Sequence, residues 1–263
     1  MANHHILKAF DEDLARLDAR IMRMGALALK TLKQSLKALR KRDPELAEKA
    51  IERDREIDRL RAEVEDGAVA VIARRQPMAN DLRQVVAAFK IAGELERIGD
   101  LSKNIARRVI TLAQEKPPKP LKKNLKRMGK LVISQLMEVM DAYANRDAAK
   151  ARAVWLRDEE VDEAYSSLFR ELLTYMMEDP RTIGLITHLL FGARNLERIG
   201  DHITNIAENI YYVSTGQRLD EHRPKGDDTS TILPGYDDVL DDEDDEDDEG
   251  DDLSTVERDD SGI

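Results

Sequence analysis

Apolar residues recur at intervals of three and four along the first 215 or so positions, as in Leu14, Leu17, Ile21, Met24 and Ala28. Ile91, Leu95, Ile98, Ser102, Ile105, Val109 and Leu112 keep the same spacing. That period puts one stripe of each segment against a core and predicts amphipathic helices. No stretch alternates with period two for long enough to predict a strand. Breakers divide the pattern. Asp43-Pro44 reads as an N-cap with proline at the first helical position. Pro77 ends a second helix, and Asn80 or Asp81 can cap a third. Pro117-Pro118-Lys119-Pro120 places three prolines in four residues, which no helix interior accepts. Asp147 can cap a fifth helix and Asp179-Pro180 opens a sixth. The predicted spans are 4–41, 44–75, 80–114, 121–145, 147–178 and 181–214.

The proline boundary separates two copies of one pattern. At a shift of 104, Arg23-Met24-Gly25 meets Arg127-Met128-Gly129, and Arg42-Asp43 meets Arg146-Asp147. Arg53-Asp54-Arg55-Glu56-Ile57-Asp58 meets Arg157-Asp158-Glu159-Glu160-Val161-Asp162. At a shift of 101, Leu95-Glu96-Arg97-Ile98-Gly99-Asp100 recurs without change as Leu196-Glu197-Arg198-Ile199-Gly200-Asp201. Asn104-Ile105-Ala106 recurs as Asn205-Ile206-Ala207. The expected fold is therefore all-α: two tandem three-helix bundles with a pseudo-twofold relation. The first spans residues 1–116 and the second 121–216, with a proline-rich linker at 117–120. Helices of this length would be about 45 Å long at 1.5 Å per residue.

Charge changes the picture at the C-terminal end. The chain carries a net charge of -11, but residues 220–263 hold 20 acidic and 3 basic side chains, or -17. The remaining 219 residues are mildly basic, at +6. Residues 241–249 are all Asp or Glu. Such a run repels itself and buries little, so an acidic tail over 217–263 is expected to be disordered. There is no cysteine, which removes disulfides, thiolate metal sites and cysteine nucleophiles. No apolar stretch is long enough to span a bilayer, and residues 1–5 do not resemble a signal peptide. A cytoplasmic location is the expectation.

The repeated segment carries the candidate chemistry. Glu96 and Asp100 are four apart and share a helix face, with Asn104 one turn further on. Glu197, Asp201 and Asn205 repeat the arrangement. Like charges at this spacing are mildly destabilising, and a helical glycine beside them, Gly99 or Gly200, costs roughly 1 kcal/mol more than alanine. Paired carboxylates one turn apart suit a hard cation such as Mg²⁺, Mn²⁺, Fe or Zn²⁺. Asp54 with Asp58, repeated as Asp158 with Asp162, forms a second set that an antiparallel neighbour can bring alongside. The alternative is a solvated acidic face bridged to arginines such as Arg97 and Arg198. His202 adjoins Asp201 but reads best as exposed and uninvolved, Trp155 as a core residue, and most of the methionines as core filling. No Glu-x-x-His pair, phosphate-binding Gly-rich loop with Lys-Ser/Thr, or Gly-x-Ser-x-Gly elbow is present. The basic residues are not interleaved with aromatics as a nucleic-acid surface would be.

The twin Glu-Arg-Ile-Gly-Asp segments, within a six-helix, two-repeat layout over residues 4–214, closely resemble the PhoU family of phosphate-specific transport accessory proteins. The resemblance implies a metal-binding motif at Glu96 with Asp100 and at Glu197 with Asp201, and a homodimer without catalytic activity. It also implies a negative regulator of phosphate uptake that links the Pst transporter's ATPase subunit to a PhoR-type sensor kinase. A metal-dependent enzyme acting on phosphate compounds is the alternative. The acidic tail is not part of the family pattern.

Overall fold

A computed structural model describes residues 2–112 and 117–219 of the chain, all within one compact unit. The expected disorder of the acidic tail falls on residues 220–263, outside the described residues. Helices α1 (Ala2–Lys41), α2 (Pro44–Arg75) and α3 (Asn80–Leu112) pack against one another as the first bundle. Helices α4 (Lys119–Asn145), α5 (Ala148–Leu156), α6 (Asp158–Glu178) and α7 (Ile183–Thr215) form the second, with a single 3₁₀ turn at Pro180–Thr182. Among the described residues there is no strand. No described helix is long and apolar enough to cross a membrane.

The repeated Arg-Asp pair builds the same turn twice. Arg42 and Arg146 adopt left-handed backbone angles, with φ of 58° and 52°, and each stops its helix. The aspartate that follows caps the next one. Asp43 accepts from the Leu46 amide at 3.1 Å and Asp147 from the Lys150 amide at 3.0 Å, satisfying amides that the first turn leaves without partners. Pro118 and Pro120 do not delay α4 to residue 121 as expected. The helix starts at Lys119 with proline in its first turn, where the missing N–H is no loss.

The helix expected over 147–178 is broken at Arg157 into α5 and α6. The buried Gln135 of α4 donates its side-chain amide to the Arg157 carbonyl at 2.8 Å. Arg157 leaves the helical path there, at φ -94° and ψ 8°. In the first copy the equivalent Arg53 lies inside an unbroken α2.

The bundles do not close separate cores. α3 packs along α7 and α1 crosses α4, so the large apolar cluster runs from Leu17 and Ile21 through Leu95 and Ile98 to Ile199 and Ile206. Trp155 is buried in it and donates its indole N–H to Glu208 at 2.9 Å. Met24, Met128 and Met140 are buried too, whereas Met22, Met137 and Met177 are exposed. The pseudo-twofold relation is explicit at the α1–α4 crossing. A Cβ at Gly129 would lie 2.7 Å from Leu36, and a Cβ at Gly25 within 2.8 Å of the Met140 sulfur. Leu36 and Met140 are themselves equivalent at the shift of 104, so the two repeats exchange one knob and one glycine hole.

Gly99 performs the corresponding service between α2 and α3. A Cβ there would lie 2.9 Å from both Asp54 Oδ1 and Ile57 Cδ1, while one at Gly93 would meet nothing within 4 Å. The two glycines therefore answer alanine oppositely. Gly93→Ala is expected to raise stability by about 0.5–1 kcal/mol through backbone entropy. Gly99→Ala is expected to lower it by about 1 kcal/mol or more, because overpacking outweighs the same gain. Urea unfolding followed by circular dichroism compares them.

Candidate functional site

The close contact at Gly99 fixes the register of two antiparallel helices. It sets Asp54 and Asp58, one turn apart on α2, against Asp100 on α3. Each of these three can offer a carboxylate oxygen such that all three lie within 4.8 Å of one another. Asp54 is 2% exposed, and its Oδ1 is buried without a hydrogen bond. Lys103, one turn after Asp100, places its Nζ 2.6 Å from Asp54 Oδ2 and 2.6 Å from Asp100 Oδ1.

Glu96 lies at the edge of the group. Its side chain is 12% exposed, and Oε1 takes Arg61 from α2 at 3.0 Å while Oε2 lies 4.0 Å from Arg97. Burial, then the charge of Asp100, raises its pKa above the ordinary carboxylate value. Burial also raises Asp58, helped by Asp100. Asp54 is pushed up to about 6, chiefly by burial, against the lowering influence of Lys103. The physical cause is common to all three: a charge taken out of water with other carboxylates nearby favours its neutral form. Asn104 sits half-buried at the next turn of α3, beyond the convergence of the aspartates.

The sequence pattern ranked the α3 pair Glu96 and Asp100 ahead of the α2 pair. The structure gathers Asp100 with Asp54 and Asp58 more closely than with Glu96. Asp54 lies in the interior, and Glu96, Asp100 and Asn104 are half-buried.

The second copy has the same residue types in a different arrangement. Asp158, Asp162 and Glu197 are buried, and Asp201 is half-buried. Asp158 Oδ1 accepts from the Thr204 hydroxyl at 3.0 Å, and Glu197 Oε1 pairs with Arg194 at 3.0 Å. Among the described residues, the carboxylates that converge within 4.8 Å are those of the first copy. Asn205 turns away from the acidic group: its amide donates to Glu94 Oε2 at 3.1 Å. His202 lies 2.8 Å from that same oxygen through Nδ1 and is half-buried. The reading of His202 as exposed and uninvolved is thus overturned, because α7 packs on α3 and brings a residue 108 positions away to it.

Three contributors were not singled out from sequence. Lys103 stands three residues after Asp100, a spacing that does signal an ion pair on one helix face. Arg61 and Glu94 act across helix contacts and leave no local signal. A second concave feature also lacks one. An apolar groove of about 280 Å³ between α1 and α4, floored by leucines such as Leu36 and Leu125, is lined by six cations and no carboxylate. Lys33, Lys37 and Arg40 stand on one side, and Lys122, Lys126 and Lys130 on the other.

Three carboxylates with a buried, unpartnered oxygen on Asp54 make a hard, oxygen-only donor set, which suits a divalent or trivalent cation completed by water. Asp54, Asp58 and Asp100 would hold it, with Glu96 within reach of its field.

The model of the PhoU domain matches the chain twice, at residues 21–109 and 125–210. The acidic run at 241–249 lies beyond both matches. A phosphate-specific transport system accessory protein PhoU homolog of Rhizobium meliloti is 50% identical over 232 residues, 88% of this chain and 98% of that protein. The crystal structure of PhoU from Pseudomonas aeruginosa is similar with a TM-score of 0.77 at 37% identity, covering 79% of this chain and all of that one. The phosphate transport system regulatory protein PhoU from Streptococcus pneumoniae is similar with a TM-score of 0.75 at 32% identity, over 81% of this chain and all of that one. A doubled domain match, joined to likeness in sequence and fold along nearly the full length of these relatives, means that the chain belongs to the PhoU family.

Proposed function

We propose that this chain is a cytoplasmic regulator of phosphate homeostasis that works by docking rather than by turnover. The observation that carries the reading is the doubled PhoU domain, in a chain whose relatives are named as accessory or regulatory proteins of phosphate transport. Its partners in this reading are the ATPase subunit of a phosphate transporter and a PhoR-type sensor kinase, and its action restrains uptake. Long helix faces and the lysine-rimmed groove offer apolar footing with charge selection for such partners. A second copy of the chain has a surface to cover as well. Val69 and Ile72 are exposed on α2, and Leu82, Val86 and Phe89 are exposed on α3. Exposed apolar side chains that gather into a patch mark contact surfaces.

A metal held by Asp54, Asp58 and Asp100, with Glu96 nearby, would supply charge neutralisation at the α2–α3 contact. The second copy offers Glu197 and Asp201, with Asp158 and Asp162. Replacing Glu96 and Glu197 by Gln and Asp100 and Asp201 by Asn is expected to remove most tightly bound metal, measured by elemental analysis, with helicity unchanged by circular dichroism. Equal metal content in both proteins would contradict the site.

The raised carboxylates fix a sign for pH. Cation binding requires them ionised, so metal affinity rises between pH 5 and 7, with proton release on binding. In the metal-free protein the folded state holds a proton on Asp54 that the unfolded chain releases. That contribution to stability is complete below the ordinary value of 3.8 and is lost as pH rises through about 6. Asp54→Asn is expected to flatten this decline in urea unfolding measured across pH 4–7.

Regulation is tested in cells. Deleting the gene is expected to raise phosphate-responsive expression in phosphate-replete medium. Expression unchanged by the deletion in both replete and starved cells would overturn the regulatory reading.

A further inference from the structure

We infer that Lys103 is an internal cation that competes with metal for the first-copy site. The inference rests on the proposed metal site and concerns how that site is governed. Its ammonium nitrogen is 2.6 Å from Asp54 Oδ2 and 2.6 Å from Asp100 Oδ1. Those two aspartates belong to the trio whose oxygens converge within 4.8 Å. An ammonium at hydrogen-bond distance from two of three carboxylates stands where a metal would have to approach. A metal and this nitrogen cannot both keep those oxygens, because metal–oxygen distances near 2.0–2.5 Å leave no room for a second cation between the same atoms. The oxygen that Lys103 leaves without a partner, Asp54 Oδ1, is buried against Gly99.

The exchange is mechanically simple. Lys103 is 20% exposed, at the end of a flexible four-carbon stem, and can turn its charge into water without moving the helix. A metal therefore enters by displacing a side chain, and its apparent affinity falls by whatever the lysine gains from its two charge-assisted bonds. The lysine also holds the metal-free site together, because the buried Asp54 beside two further carboxylates is costly without a cation.

The internal repeat supplies the comparison. At the shift of 101 that aligns α3 with α7, the residue equivalent to Lys103 is Thr204. It is neutral, and its hydroxyl donates to Asp158 Oδ1 at 3.0 Å and to the Gly200 carbonyl at 3.0 Å. Arg61, which pairs with Glu96 at 3.0 Å, is likewise replaced by a neutral residue, the buried Tyr165. Both changes remove a positive charge from the second copy, while Arg194 at Glu197 restores one. The carboxylates are duplicated, and a neutral hydroxyl stands at the position of Lys103.

The test titrates the full-length chain with Mn²⁺ after removal of metal by a chelator, following free and bound ion by electron paramagnetic resonance. Every sample carries Asp201→Asn, so that the first copy is read. Lys103→Thr, which imports the residue of the second copy, is expected to tighten Mn²⁺ binding by about tenfold or more, the equivalent of one charge-assisted hydrogen bond that no longer has to be broken. Lys103→Met, which keeps the stem and removes the charge, is expected to do the same. In both variants Mn²⁺ is expected to raise the melting temperature more than it does with Lys103 present. A lysine with a structural role only would lower the melting temperature on substitution and leave the affinity unchanged, and that result overturns the inference while the metal site stands. Absence of saturable Mn²⁺ binding in all three proteins, or binding that Asp100→Asn does not weaken, overturns the metal site and the inference with it.

Discussion

The close approach of α2 to α3 at Gly99 governs the rest of the acidic site. It brings Asp54 into the interior beside a helix that already carries Asp100 and, one turn back, Glu96. Burying several carboxylates together is costly unless cations and hydrogen bonds accompany them. Lys103 and Arg61 do so here, each reaching across or along the contact to within 3.0 Å of a carboxylate oxygen. The pairing offsets part of the burial cost, as the raised pKa of Asp54 records.

The second half of the molecule holds the same carboxylates under other constraints. α6 begins directly after the break at Arg157, so Asp158 sits at a helix start and not within a continuous helix. Val161 lies against Gly200 where Ile57 and Asp54 crowd Gly99, with contacts of 3.3 Å and 2.9 Å for an added Cβ. The halves then join by exchange at α1–α4 and by the α3–α7 contact, where Glu94 receives His202 and Asn205. The apolar residues that pack beside both acidic groups thus belong to one continuous core.

Much of this was legible in the residues, and what was not has a common cause. Period and caps place the helices, since both are local: Asp43 and Asp147 cap as their positions demand. Duplication is what singled out Glu96 and Asp100 among the many acidic residues. The break at Arg157 was not legible because its cause, Gln135, lies 22 positions away in another helix. The convergence of Asp54 and Asp58 on Asp100 was not legible because register between helices is set by packing at Gly99, which sequence spacing does not encode. His202 was misread for the same reason. Lys103 is different: its spacing from Asp100 was visible, and its significance depends on Asp54 arriving from α2.

The central claim is that the α2 and α3 aspartates of the first copy form one cation site at the helix contact. Crystals of the full-length protein soaked in Mn²⁺, with diffraction collected on both sides of the manganese absorption edge, locate the ion directly. The account predicts an anomalous peak within bonding distance of Asp54, Asp58 and Asp100, with the Lys103 side chain turned away from Asp54. Anomalous peaks elsewhere on the chain and none between these three aspartates, with Lys103 still bridging two of them, would contradict it.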